Sequence, residues 1–82
     1  MLNVKILGPG CPRCKRLDQL ARQAAEEAGI EATFTKVTDI TSIMAYPIVS
    51  TPGLVINEKL VCSGRLPTKE EIITWLKEAQ TT

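Results

Sequence analysis

Leu2-Asn3-Val4-Lys5-Ile6-Leu7-Gly8-Pro9-Gly10-Cys11-Pro12-Arg13-Cys14 is the stretch on which the fold turns. Leu2, Val4 and Ile6 alternate with Asn3 and Lys5, the two-residue period of a half-buried strand, and Leu7 carries the apolar run up to Gly8-Pro9-Gly10. Beyond the cysteines, Leu17, Leu20, Ala21, Ala24, Ala25 and Ala28 fall on one face of a helix. Gly29 fits the left-handed position that ends such a helix, with Ile30 placed for the apolar contact that accompanies the cap, so the spacing predicts a helix over 12–28. Cys11 and Cys14 therefore fall where a strand gives way to a long helix.

Working outward, Glu31 to Val37 is rich in β-formers and reads as a second strand. Thr38 or Asp39 can cap a short helix that presents Ile40, Ile43 and Met44 and must stop before Pro47. Leu54-Val55-Ile56 and Leu60-Val61-Cys62 flank Asn57-Glu58-Lys59 as a hairpin. Thr68-Lys69-Glu70-Glu71 is a capping box opening a last helix with Ile72, Ile73, Leu76 and Ala79 inward. The order β-α-β-α-β-β-α joins a parallel strand pair, made by the helical crossover, to an antiparallel one, made by the hairpin. The expected fold is α/β, a four-stranded mixed sheet with helices on both faces.

With 82 residues the chain has apolar surface for one domain, spanning 1–82, and a thin stability margin. Hydrophobic residues at 44% and charged residues at 23% are ordinary globular usage. A net charge of +1 argues against a general nucleic-acid or membrane-surface binder, and no apolar run is long enough to span a membrane. The N-terminal residues read as a strand rather than a signal peptide, which points to a cytoplasmic protein. Three cysteines do not suggest a disulfide-stapled secreted framework, and the absence of histidine removes mixed cysteine-histidine zinc sites and every histidine-based catalytic arrangement.

A Cys-x-x-Cys pair at a strand-to-helix junction points to redox chemistry. With Cys11 at the N-cap, Pro12 takes the first helical position, where its missing N–H is not needed, and the amides of Arg13 and Cys14 can point at the Cys11 sulfur. Those donors and the positive end of the helix dipole favour thiolate and should bring the Cys11 pKa below the free-cysteine value of about 8.5. Cys11 is then the nucleophile, and Cys14, one turn along and more shielded, is the resolving thiol. Arg13, Lys15 and Arg16 put three cations at the helix end where cations are ordinarily unfavourable, but where each would stabilise a neighbouring thiolate; the competing reading is a solvated face. Cys62 reads as a small buried hydrophobe, with a third redox thiol as the alternative. Trp75 should cover a core edge, Phe34 should lie in the core, and Met44 should fill the core or rim the thiol. Pro9 and Pro67 read as loop punctuation. A module holding Cu(I) or Zn(II) on the same thiols is the alternative function, although three cysteines cannot complete a four-cysteine site within one chain.

On these residues the chain resembles the thioredoxin-like superfamily, and in its length the short redox-active disulfide proteins related to thioredoxin and glutaredoxin. Two further positions match: Thr51-Pro52 looks like the family's cis-proline dipeptide, and Gly64 looks like its glycine beyond the last strand. The resemblance implies that Pro52 faces the reactive disulfide and that Thr51, Pro52 and Gly64 contact substrate. It also implies a monomer that needs no bound cofactor, acts on a disulfide-containing protein or small molecule, and is recharged by a flavin-dependent reductase or a cellular dithiol. Three departures stand out: Gly10 where thioredoxins carry tryptophan, Lys5 where they bury an acid, and Pro12-Arg13 between the cysteines.

Overall fold

The computed structural model describes residues 2–10, 12–48 and 50–81, the last without its side chain. Strand β1 runs Leu2–Leu7, helix α1 Pro12–Ala28, strand β2 Ala32–Val37 and helix α2 Ile40–Ile43; β3 is Gly53–Ile56, β4 Lys59–Ser63 and α3 Lys69–Thr81. The sheet order is β2-β1-β3-β4, with β1 parallel to β2 and antiparallel to β3, and β3 antiparallel to β4. This is the mixed four-stranded α/β sheet that the element order predicts.

Alternation along the strands divides the core in two. Val4, Ile6, Leu54 and Ile56 face Leu17, Ala21 and Ala24 of α1 and Ile72 and Leu76 of α3, with Phe34 and Trp75 half-buried at the margin. On the opposite face Leu7 and Val55 meet Ile43 of α2, supported by Val37, Tyr46, Ile48 and Leu60. Helices therefore cover both faces, unequally. A four-residue helix can turn only one apolar side chain to the sheet, and Ile43 takes that place. Met44 is 73% exposed, which corrects the first of its two expected places, the core, and of the three apolar residues that α2 presents Ile40 is likewise exposed, at 58%.

The ends of the elements follow local chemistry. At the end of α1, Gly29 has φ +68°, its N–H donates to the Glu26 carbonyl at 3.1 Å, and Ile30 N–H donates to the Ala25 carbonyl at 2.9 Å, the paired bonds of a Schellman cap. Asp39 caps α2, accepting from Ser42 N–H at 3.0 Å. Thr68 and Glu71 cap α3 reciprocally, with Thr68 N–H donating to Glu71 Oε1 at 3.1 Å and Glu71 N–H to Thr68 Oγ1 at 3.2 Å. The hairpin turns on Asn57 and Glu58 alone, at φ +50° and +67°, so Lys59 belongs to β4 rather than to the turn. Pro67, expected to punctuate a loop, is fully buried just before that last cap.

Candidate active site

Helix α1 begins at Pro12, as a proline-first helix should, and carries no acid in its first turn. Its leading N–H groups have no intrahelical acceptors and form the positive end of the dipole. Pro12, Arg13, Lys15 and Arg16 are exposed, whereas Cys14 is 5% exposed and disulfide-bonded. Cys11, expected to be the nucleophile, lies outside the described residues.

Three segments meet at Cys14. A Cβ placed on Gly8 would fall on the Cys14 sulfur and 3.9 Å from the Thr51 Cβ, so the backbone leaving β1, the helix cysteine and the loop before β3 are in mutual contact. The Thr51–Pro52 peptide is cis, and Pro52 is fully buried. Gly64, at φ +77°, donates its N–H to the Pro52 carbonyl at 3.0 Å, and a Cβ there would lie 2.5 Å from Ser50 Oγ. Thr51, Pro52 and Gly64, singled out from the sequence by resemblance, thus belong to one cluster with Cys14 through Gly8, which the sequence marks only as part of a turn.

A cavity of about 70 Å³ opens beside the cysteine, lined by Gly8, Gly10, Cys14 and Lys15 on one side and by Lys36 and Thr38 on the other. It has room for about two water molecules and none for an organic ligand. Lys15 reaches this cavity; Arg13 and Arg16 do not line it. Lys36 is not singled out from the sequence, although alternation along β2 puts it on the Ala32 and Phe34 side, facing α1. Its ammonium pairs with Asp18 at 3.6 Å, and Asp18 also accepts from Arg22 Nε at 3.0 Å. Asp18 is buried to 8% exposure, one helical turn beyond Cys14, with Arg22 stacked 4.9 Å from the Phe34 ring centre.

A wider hollow of about 620 Å³ lies on the other face of the sheet, over Lys5, Tyr46 and Glu58, and does not include Cys14. Lys5 there donates to Glu58 at 2.6 Å and to Tyr46 Oη at 3.0 Å, and the bond to Glu58, with that to Tyr46, raises its pKa to about 12. The same lysine holds the Glu58 carboxyl below its ordinary value. Lys5 thus serves a cross-strand surface network in place of a buried acid. Cys62 is a free thiol at 8% exposure within the main core, donating to the Arg65 carbonyl at 3.7 Å, and burial pushes its pKa up. Among the described residues, which do not include Cys11, no group of three or more histidine, cysteine, aspartate or glutamate side chains converges to hold a metal. Nor is any described helix long and apolar enough to cross a membrane.

Strand order, the helix cysteine beside a cis-proline loop and the closing hairpin together define the thioredoxin-like α/β fold. A family model described as a thioredoxin domain matches residues 2–77, and the chain belongs to that family. It is 39% identical over 77 residues to a thioredoxin of Methanocaldococcus jannaschii, covering 94% of this chain and 88% of that protein. A thioredoxin of Methanothermobacter thermautotrophicus is 38% identical over 72 residues, covering 88% and 94%. Among solved structures, a Nu-class GST from Haemonchus contortus superposes with a TM-score of 0.52 at 19% identity, over 98% of this chain and 37% of that one, a likeness of fold alone.

Proposed function

We propose that this chain is a single-domain thiol-disulfide oxidoreductase that works through the pair Cys11 and Cys14. The observation that carries the reading is the disulfide-bonded, shielded Cys14 in the first turn of α1, packed against Gly8 and the Thr51–Pro52 loop. In this reading the partner of Cys14 is Cys11, the first cysteine of the Cys-x-x-Cys pair.

In the reducing direction the Cys11 thiolate attacks one sulfur of a substrate disulfide. A Cys11–substrate mixed disulfide forms, and the other substrate sulfur departs as a thiolate that takes up a proton. Cys14 then loses its proton to water, attacks the Cys11 sulfur and releases the second substrate thiolate. Two electrons have passed from the dithiol to the substrate, and the pair is left oxidised. Ionisation of Cys11 is supported by its place before the N-terminal end of α1, where the helix dipole is positive, and by the exposed cations Arg13, Lys15 and Arg16. Because the cavity beside Cys14 is so small, in this reading the substrate disulfide is presented from outside, across Thr51 and Gly64, with Pro52 buried beneath them. The partners of this reading are a disulfide-bearing protein or small molecule and, for recharging, a flavin-dependent reductase or a cellular dithiol. It places the chain in the cytoplasm as a monomer without a bound cofactor.

The test is reduction of insulin disulfides with dithiothreitol as the electron source. Turnover should be lost in Cys11→Ser, while Cys14→Ser should accumulate a mixed disulfide on Cys11. Turnover that survives Cys11→Ser would overturn the assignment.

A further inference from the structure

We propose that Gly8 is a positioning residue for the dithiol: its missing side chain is the space in which the Cys14 sulfur sits when the disulfide is closed. The inference depends on the function proposed above and adds to it the residue that sets the balance between disulfide and dithiol.

Glycine at this position is not demanded by the backbone. Gly10, Gly29 and Gly64 have φ between +68° and +93°, the region that favours glycine, whereas Gly8 is outside it and its backbone would accept alanine. What a Cβ would meet instead is the Cys14 sulfur, then the Cys14 Cβ at 3.1 Å and the Thr51 Cβ at 3.9 Å. Gly8 cannot retreat from that contact. Its N–H donates to the Val37 carbonyl at 2.9 Å, continuing the β1–β2 ladder by one residue, and the preceding Leu7 is fully buried and paired with Gly53 of β3. Cys14 is held from its own side by α1, where Leu17 is fully buried. What can give is the sulfur, by turning about the Cys14 Cα–Cβ bond once the disulfide is open.

A methyl group at residue 8 therefore expels the sulfur from the position it occupies in the disulfide. The dithiol, in which the sulfurs need only be neighbours, tolerates the displacement better than the disulfide, in which they are bonded. Gly8→Ala should consequently favour the reduced form and slow the step in which Cys14 attacks the mixed disulfide.

The experiment is a redox titration of full-length Gly8→Ala against dithiothreitol buffers, with Gly29→Ala as a control. Gly29 lies at the far end of α1, its added Cβ meets nothing within 4 Å, and alanine there strains only the backbone. Gly8→Ala should shift the equilibrium toward the dithiol at least tenfold, about 30 mV for a two-electron couple, and lengthen the life of a trapped mixed disulfide. Gly29→Ala should keep the parent potential despite its lower stability. If the parent protein itself shows no two-electron couple, the proposed function fails. If the parent titrates but Gly8→Ala has the same potential and resolves equally fast, the role of Gly8 fails. Should Gly8→Ala not fold, the double variant Gly8→Ala/Cys14→Ala decides: recovered folding shows that the sulfur was the obstacle, and continued failure shows that the backbone was, which overturns the proposal.

Discussion

Asp18 is the buried charged side chain among the described residues, and replacing it measures what its ion pairs contribute. In Asp18→Ala the carboxylate that accepts from Arg22 Nε at 3.0 Å and pairs with Lys36 at 3.6 Å is removed. A hydrogen bond to a charged group contributes about 1.5–3 kcal/mol, and a solvent-exposed ion pair about 0–1 kcal/mol. The carboxylate is 12% exposed but its partners are 52% and 58% exposed, so both cations can return to water and the loss lies between those ranges. We expect Asp18→Ala to destabilise by about 1–2 kcal/mol, a fall in Tm of about 5–12 °C for a domain this small. Urea denaturation should show a lower midpoint at unchanged slope. Asp18→Asn, which keeps the volume and an acceptor for Arg22, should recover part of the loss. In 1 M salt, where the screening length is about 3 Å, the difference between parent and Asp18→Ala should narrow. A loss below about 0.3 kcal/mol at low salt, or one indifferent to salt, would refute the electrostatic account and leave packing as the whole effect.

Three further outcomes are expected. Thr68→Ala removes the cap on Glu71 N–H and should lower stability by about 1 kcal/mol, read as a Tm shift of about 4–8 °C. Glu71, held near a pKa of about 2 by the bidentate Arg65 guanidinium and by Thr68, has a folded value below its ordinary 4.5, so its contribution is present above pH 4.5 and is lost as the pH falls toward 2. The stability gap between parent and Glu71→Gln, followed by urea midpoints, should therefore close over that window; a gap that stays constant from pH 6 to pH 2.5 refutes the pairing. Cys62, buried and with its thiol pKa raised, should react with iodoacetamide at pH 8 at least tenfold more slowly in the native protein than in urea, and equal rates would show the strand edge to be open.

The elements that the sequence disclosed are those whose signal is local. The Schellman cap at Gly29 and the capping box at Thr68 and Glu71 are written within six residues and formed as read. The hairpin was legible although Asn57-Glu58 lacks glycine, because a three-residue apolar run on either side brackets the only polar break between them. What escaped depends on contacts distant in sequence. Asp18 reads as a polar position on the helix, and only the parallel register, which sets Lys36 of β2 opposite Ile6 of β1, shows why a carboxylate is kept beneath the surface there. The sequence does not say which of Ile40, Ile43 and Met44 the short helix buries; one helical turn offers the sheet a single site, and Ile43 takes it. The grouping of Thr51, Pro52 and Gly64 came from resemblance, since without it Pro52 reads as an ordinary turn former.

Sheet register explains why these scattered residues meet. Leu7 pairs with Gly53 and Gly53 with Ser63, so the residues just outside those pairs, Gly8, Pro52 and Gly64, emerge side by side at one end of three adjacent strands. Gly8 is tied on its other side to Val37 of β2, which completes the row across all four strands. Sliding β3 by one residue against β1 would turn Leu54 and Ile56 away from α1 and α3 and expose most of the main core, so the apolar pattern fixes the register wherever the sheet is buried. The same pattern thereby fixes the distance between the Cys14 sulfur and the loop that faces it. The core is thus what sets the geometry of the proposed dithiol: a change that loosens β3 against β1 should disturb the disulfide equilibrium from a distance, while one confined to the exposed face of α2 should leave it untouched.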